Sequence, residues 1–333
     1  MPHVIDDQTR AEQLFFEGNS HKEKGAIDQA EECFREALRL VPDFAEAHTN
    51  LGLLLDQTGR RVEAEHHYLH SIESNPNYLQ TYLNLGVLLT HQKRFQEAEG
   101  VYRQALELNP YSPAVWSNLG VLQACQKQEE AAEQSYRTAI GLDADYQLAS
   151  FNFSYLLLRQ GRFEEGWRCL EARNWYPSFE KHLACPRWHG EPLKNKSVLI
   201  GFEAGHGDMI QFCRYASLLK AQGAATIAIV CHPALKKLFA TLPSVDLIFS
   251  FEEPFPTAGW DFWTPPLSIP FYCQTRLDSI PAALPYLWAD QEKAKDWASR
   301  LFADRSDQNL RVGLVWKGNP LFENDSDRSL PNL

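Results

Sequence analysis

The sequence predicts two architectures in one chain: an α-solenoid of paired helices, then an α/β domain built on a parallel sheet. Three observations predict this. Small and aromatic residues recur every 34 positions without an insertion from residue 11 to residue 146. From residue 197 onward, short apolar runs alternate with helical segments, the pattern of a parallel sheet covered on both faces. Between them, Pro186 and Pro192 punctuate a stretch at 181–196 that has no helical rhythm.

The first part consists of rows. Gly18, Gly52, Gly86 and Gly120 form one, and Ala30, Ala64, Ala98 and Ala132 a second. Phe34, Tyr68, Tyr102 and Tyr136 form a third, and Ala37, Ser71, Ala105 and Ala139 a fourth. Pro42, Pro76 and Pro110 close three units, and Ala144 takes that place in the next. A small residue belongs where two helices cross closely, and the aromatic is expected to fill the gap between neighbouring units. Proline ends the second helix because its ring cannot continue the hydrogen-bond ladder. One helix pair cannot cover its own apolar face, so the units must stack. The pattern is that of the tetratricopeptide repeat, with units at 11–44, 45–78, 79–112 and 113–146. A fifth, 147–180, keeps the rhythm but has Ser154 for Gly and Gly166 for Ala, and Trp167 and Trp175 suit a capping helix.

Such an array carries a groove lined by the first helix of each pair. At the sixth position of successive units stand Asn50, Asn84, Asn118 and Asn152, with Phe16 in the first unit. An amide both donates and accepts, so a row of them can hold a peptide backbone whatever its side chains. Leu53, Val87, Val121 and Tyr155 lie beside the row as apolar contacts. The alternative is that these amides bond locally or to water. A protein or peptide partner is the expectation.

Bulk properties narrow the classes. At 333 residues and 44% hydrophobic content, two packed domains are expected. The net charge is −11, and residues 1–180 carry all of it, with 27 acidic against 16 basic side chains. That argues against nucleic acid and favours a neutral or basic partner, unless surplus Glu only keeps the helices soluble. Seven cysteines are scattered without metal or disulfide spacing and read as buried reduced thiols. Cys231, His232 and His206 are the nearest approach to a ligand set, and no metal or cofactor is expected. With no signal peptide and no long apolar run, a cytoplasmic protein without a membrane span is expected.

The second part opens with a buried strand at 197–202, a turn Gly205-His-Gly-Asp208 and a helix to about Gln222. A strand at 226–231, a helix at 234–241, a strand at 246–250 and a strand containing Asp261-Phe-Trp263 follow. A helix at about 291–302 and a strand at 311–316 complete a Rossmann-like order. The turn after the first strand is where such sheets gather ligands. It is not a dinucleotide fingerprint, since position 210 is Ile, nor a P-loop, which needs Gly-Lys-Ser/Thr. Spacing alone makes Asp208, with Gln211 three residues on, a helix cap worth about 1 kcal/mol.

Several motifs in this part keep a common order. They are Gly205-His-Gly-Asp208, Ile210-Gln-Phe212 with Arg214-Tyr215, Leu242-Pro243 with Val245-Asp246, and Pro266-Leu-Ser-Ile-Pro270. Pro285-Tyr-Leu287, Val312-Gly-Leu-Val-Trp316 and Gly318-Asn-Pro320 extend the series. In this order, residues 197–333 resemble the amino-terminal half of a GT-B glycosyltransferase of the lipopolysaccharide heptosyltransferase type. With its repeats, the whole chain is similar in architecture to protein O-GlcNAc transferases. The resemblance implies inverting transfer from a nucleotide sugar, with Asp208 as general base, while Gly205, His206 and Gly207 form an acceptor- or anion-binding loop. Arg214 and Tyr215 read first as packing residues. The resemblance also places a Rossmann-like lobe at 197–309 and the start of an incomplete donor-holding lobe at 310–333. On that reading a nucleotide sugar binds only if a second lobe is present, and these 333 residues are inactive alone. The other reading is a non-catalytic scaffold that works through its groove.

Overall fold

A computed structural model of the chain describes residues 6–174 and 177–301. Ten helices come first: α1 (Asp7–Glu23), α2 (Ile27–Leu40), α3 (Ala45–Gln57), α4 (Arg61–Ser74), α5 (Leu79–His91), α6 (Phe95–Leu108), α7 (Pro113–Cys125), α8 (Glu129–Leu142), α9 (Gln147–Arg159) and α10 (Phe163–Leu170). They form five antiparallel pairs, and both members start at intervals of 34 from α3 onward. The fifth pair is unequal, because α10 has only eight residues. Trp167 lies on α10, whereas Trp175 is outside the described residues.

The glycine row has a definite partner. A Cβ at Gly86 would lie 2.3 Å from the ring of Tyr102, and at Gly18, Gly52 and Gly120 it would lie 2.6–2.7 Å from Phe34, Tyr68 and Tyr136. Each aromatic therefore packs on the glycine of its own helix pair, and Phe34, Tyr68 and Tyr102 also belong to one buried cluster that runs through several units. Tyr136 likewise reaches beyond its pair, since its ring also lies 5.5 Å from Phe153 of the next unit.

Proline is not required to end the second helix. Asn75 and Asn109 precede proline and have φ near −142° and −146°, while Asp143 precedes Ala144 and has φ −150°. The same extended cap forms without the proline ring. What Pro42, Pro76 and Pro110 share is a captured carbonyl. His48 Nε2 lies 2.9 Å from the Pro42 oxygen, and Tyr82 Oη and Trp116 Nε1 donate to those of Pro76 and Pro110 at the same distance. These three side chains occupy one position of the repeat.

The surplus acid is partly spent between units. Arg60 joins Glu31 of the preceding unit to Glu63 of its own at 2.7 and 2.6 Å. Arg94 joins Glu65 to Glu97, and Arg162 joins Glu133 to Glu165, each at 2.6 Å. Each pair is partly exposed and worth only about 0.2–1 kcal/mol.

After α11 (Pro177–Glu180) comes a four-stranded all-parallel sheet: β1 (Ser197–Ile200), β2 (Thr226–Cys231), β3 (Leu247–Ser250) and β4 (Phe262–Thr264), in the order β3-β2-β1-β4. Val198 pairs with Ile227 on one side and with Phe262 on the other. The expected first helix is three pieces: α12 (His206–Phe212), a 3-10 turn (Cys213–Tyr215) and α13 (Ala216–Ala221). The tightened turn accompanies burial of Phe212, Cys213, Tyr215 and Ala216 in close succession. Next come α14 (Pro233–Phe239) and α15 (Ile269–Tyr272), the latter in a region not expected to be helical. The solenoid and the sheet belong to one compact unit that extends to Leu284. Of the described residues, 285–301 belong to a second unit, which contains α16 (Gln291–Leu301). The strand expected at 311–316, and with it the lobe expected from residue 310, lies outside the described residues.

Candidate functional site

Stacking of the first helices turns the asparagine row into one face. The Asn50 amide donates to Asn19 Oδ1 at 2.7 Å, tying α3 to α1. Asn84 Oδ1 accepts from Gln80 Nε2 at 2.9 Å, and its Nδ2 is buried without an acceptor among the described residues. Asn118 and Asn152 are half-buried, and among the described residues their side chains make no hydrogen bond. Two of the four amides thus bond locally in part, and two keep their full capacity.

The row leads to the turn after β1. Tyr155 lies three residues beyond Asn152 on α9, on the same face, and is 57% exposed. Together with Phe163 and Trp167 of the fifth unit, it faces Asp208, Gln211 and Phe212 of α12 across a pocket of about 370 Å³. Burial first, and the Asp208 carboxylate second, push the Tyr155 phenol up from its ordinary pKa. The groove and the turn, far apart in sequence, meet here, whereas Asn50 lies three units away.

Asp208 caps α12 in a different way from the one spacing suggests. It is the third helical residue rather than the cap, and its Oδ2 accepts the Gly205 N–H at 3.1 Å. Among the described residues Oδ1 makes no hydrogen bond. Gly205, His206 and Gly207 are exposed, and Ala204 before them has φ 60°, a left-handed conformation that costs a residue with a Cβ about 1 kcal/mol. Arg214 donates to the carbonyls of Gln211 and Pro281 and, with the buried Tyr215, lines the same pocket as Asp208. The His206 and His232 rings are 4.2 Å apart. Among the described residues, no group of three or more His, Cys, Asp and Glu side chains is placed to hold a metal. Of the cysteines, Cys213 and Cys231 are buried, but Cys125 is exposed, contrary to the uniform burial expected.

One element of the site went unnoticed in the sequence. Glu203, just past β1, accepts from Arg173 Nε at 2.5 Å and Nη2 at 3.1 Å, and from the Leu267 N–H at 3.3 Å. Arg173 Nη2 also donates to Ser268 Oγ at 2.6 Å, and Nη1 to Glu171 at 2.8 Å. The Arg173 and Glu203 side chains are 0% and 1% exposed. They sit beyond the carboxyl ends of β1 and β4, where the strand order reverses and parallel sheets usually take a ligand. Here that crevice is filled by an arginine from the end of the solenoid. An isolated Glu after a buried strand was the one sequence signal available.

With the geometry in place, comparison with known proteins bears on the helices. The family description "TPR repeat" matches residues 18–59, and "Tetratricopeptide repeat" matches residues 43–110 and 101–134. The amino-terminal helices form a tetratricopeptide-repeat solenoid. A curated relative, protein FlbA of Caulobacter vibrioides, is 25% identical over 197 residues, which cover 53% of this chain and 32% of FlbA. The chain thus spans about a third of that relative's length. Among solved structures, PilF of Pseudomonas aeruginosa has 21% identity and a TM-score of 0.46, over 50% of this chain and 76% of that one. A thermophilic TPR protein of Thermus thermophilus has 24% identity and a TM-score of 0.45, over 49% and 89%. Among the described residues no helix is long and apolar enough to cross a membrane.

Proposed function

We propose that this repeat protein is an interaction scaffold whose groove holds an extended peptide segment by its backbone and leads it to the pocket at Asp208. One observation carries this reading. The unspent amides of Asn118 and Asn152 lie on the face that ends at Tyr155, and Tyr155 lines the pocket opposite Asp208. Each amide can give and take one hydrogen bond with a peptide group, a net of about 0.5–1.5 kcal/mol per bond. The test starts from peptides selected on the full chain from a random displayed library. Replacing Asn118 and Asn152 together by Ala is expected to weaken these peptides at least tenfold, with helix content by circular dichroism unchanged. Equal affinity for the variant removes the groove from the account.

A second reading is supported by Asp208 itself. Its Oδ1 is unspent and faces a pocket large enough for a small side chain or sugar. On the resemblance to GT-B glycosyltransferases, a hydroxyl of the held segment gives its proton to this carboxylate as its oxygen bonds to the anomeric carbon. The bond from that carbon to phosphate breaks, and the nucleotide leaves with the electron pair. General-base help of this kind is worth about 10²–10⁴-fold. Release of nucleotide from a sugar nucleotide by the full chain, lost in Asp208→Asn, supports this reading. No release leaves the scaffold as the function of these 333 residues, in line with the expectation that they are inactive alone, and release unaffected by the substitution removes Asp208 from this reading.

A further inference from the structure

The groove is not uniform along its length. At the second position of the five 34-residue units stand Glu12, Glu46, Gln80, Ala114 and Leu148. At the ninth stand Asn19, Leu53, Val87, Val121 and Tyr155. Both rows pass from polar or acidic to apolar as they approach the Asp208 pocket. At the far end, Glu12 and Phe16 are one helical turn apart on α1 and so lie side by side. The Asn19–Asn50 bond holds α3 against that helix, which brings Glu46 to the same end of the groove. Phe16 is 67% exposed. Glu12 accepts only from the neutral Gln8 amide, and among the described residues Glu46 has no ion pair. Lys22 and Lys24 lie about two turns beyond Phe16, at the carboxyl end of α1. Arg10 donates to Gln13 Oε1 on the same helix at 3.3 Å. At the near end Leu148 and Tyr155 are 47% and 57% exposed.

An exposed aromatic with one carboxylate a turn away on its own helix and another on the neighbouring first helix fits a lysine or arginine side chain, through cation–π and charge attraction together. Exposed Leu and Tyr fit an apolar side chain. We propose that the groove reads its ligand directionally, with a basic residue seated on Phe16 between Glu12 and Glu46 and an apolar residue on Leu148 and Tyr155. This rests on the groove reading and names its partner: an extended segment, basic at one end and apolar at the other. Four interaxial steps of about 8–10 Å separate α1 from α9, so about 10–12 residues of extended chain separate the two anchors.

Labelled peptides of that length with a Gly/Ser/Asn spacer test it against the full chain by fluorescence anisotropy. Two carry a Lys-Arg end and a Leu-Phe end in opposite orders, and two others have Glu in place of the basic pair. The expected result is that one of the two basic peptides binds at least tenfold tighter than its Glu counterpart. That advantage falls with salt and is lost in Glu12→Gln/Glu46→Gln and in Phe16→Ser. If basic and acidic peptides bind alike, and all are weakened by Asn118→Ala/Asn152→Ala, the directional inference falls while the groove reading stands. If none binds at about 1 mM, both fall.

Discussion

The asparagines show how much one side chain reveals in sequence and how much it hides. Their 34-residue spacing placed all four on one face, yet only Asn118 and Asn152 keep free amides, because Gln80 and Asn19 engage the other two. Local bonding, left open in the sequence as the alternative, is supplied by Gln80 four residues before Asn84 and by Asn19 of the preceding unit. The glycines were legible as close crossings, but their aromatic partners were not, since no spacing tells whether an aromatic meets its own unit, the next or both. Their packing makes a sharp prediction. In Gly86→Ala the added methyl would meet the Tyr102 ring at 2.3 Å, and overpacking of this kind costs about 1–3 kcal/mol. Thermal or urea unfolding of the variant is expected to show that loss, whereas the same change at Gly100, where nothing lies within 4 Å, stabilises its helix by up to about 1 kcal/mol. Equal responses at the two sites would refute the glycine–aromatic contact.

At the scale of elements, β2 was read to the residue because a strand buried on both faces is a continuous apolar run, and β3 and β4 nearly so although both are edge strands. The helix after β1 was read as one piece because hydrophobic spacing does not register a single 3-10 turn. Proline looked like the stop signal of the second helices, yet α8 ends at the same place without it. Least legible was the Arg173–Glu203 pair, formed between residues 30 apart that belong to different layers. It ties the end of the solenoid to the loop that carries Asp208. Removing one partner leaves a buried charge unpaired, at a cost of about 3–5 kcal/mol. Glu203→Ala is therefore expected to raise hydrogen exchange at 203–212 and 266–276 while leaving α1 to α6 protected. Glu203→Gln, which keeps hydrogen-bonding capacity, should have a smaller effect. Unchanged exchange in both variants would show that the pair does not hold the loop.

For the molecule as a whole, a repeat array and a parallel sheet share one compact unit, and the groove of the first ends at the turn of the second. The architecture was legible because repeats and buried strands write themselves into sequence as periods. The meeting of groove and turn was not, because it depends on how α9 and α10 pack on α12. A peptide selected on the chain, carrying a photo-crosslinker at each end in turn, measures this meeting most directly. The account predicts adducts from one end on α9 and α12, around Tyr155 and Asp208, and from the other on α1 and α3. Adducts confined to the outer helices α2, α4, α6 and α8 would contradict it.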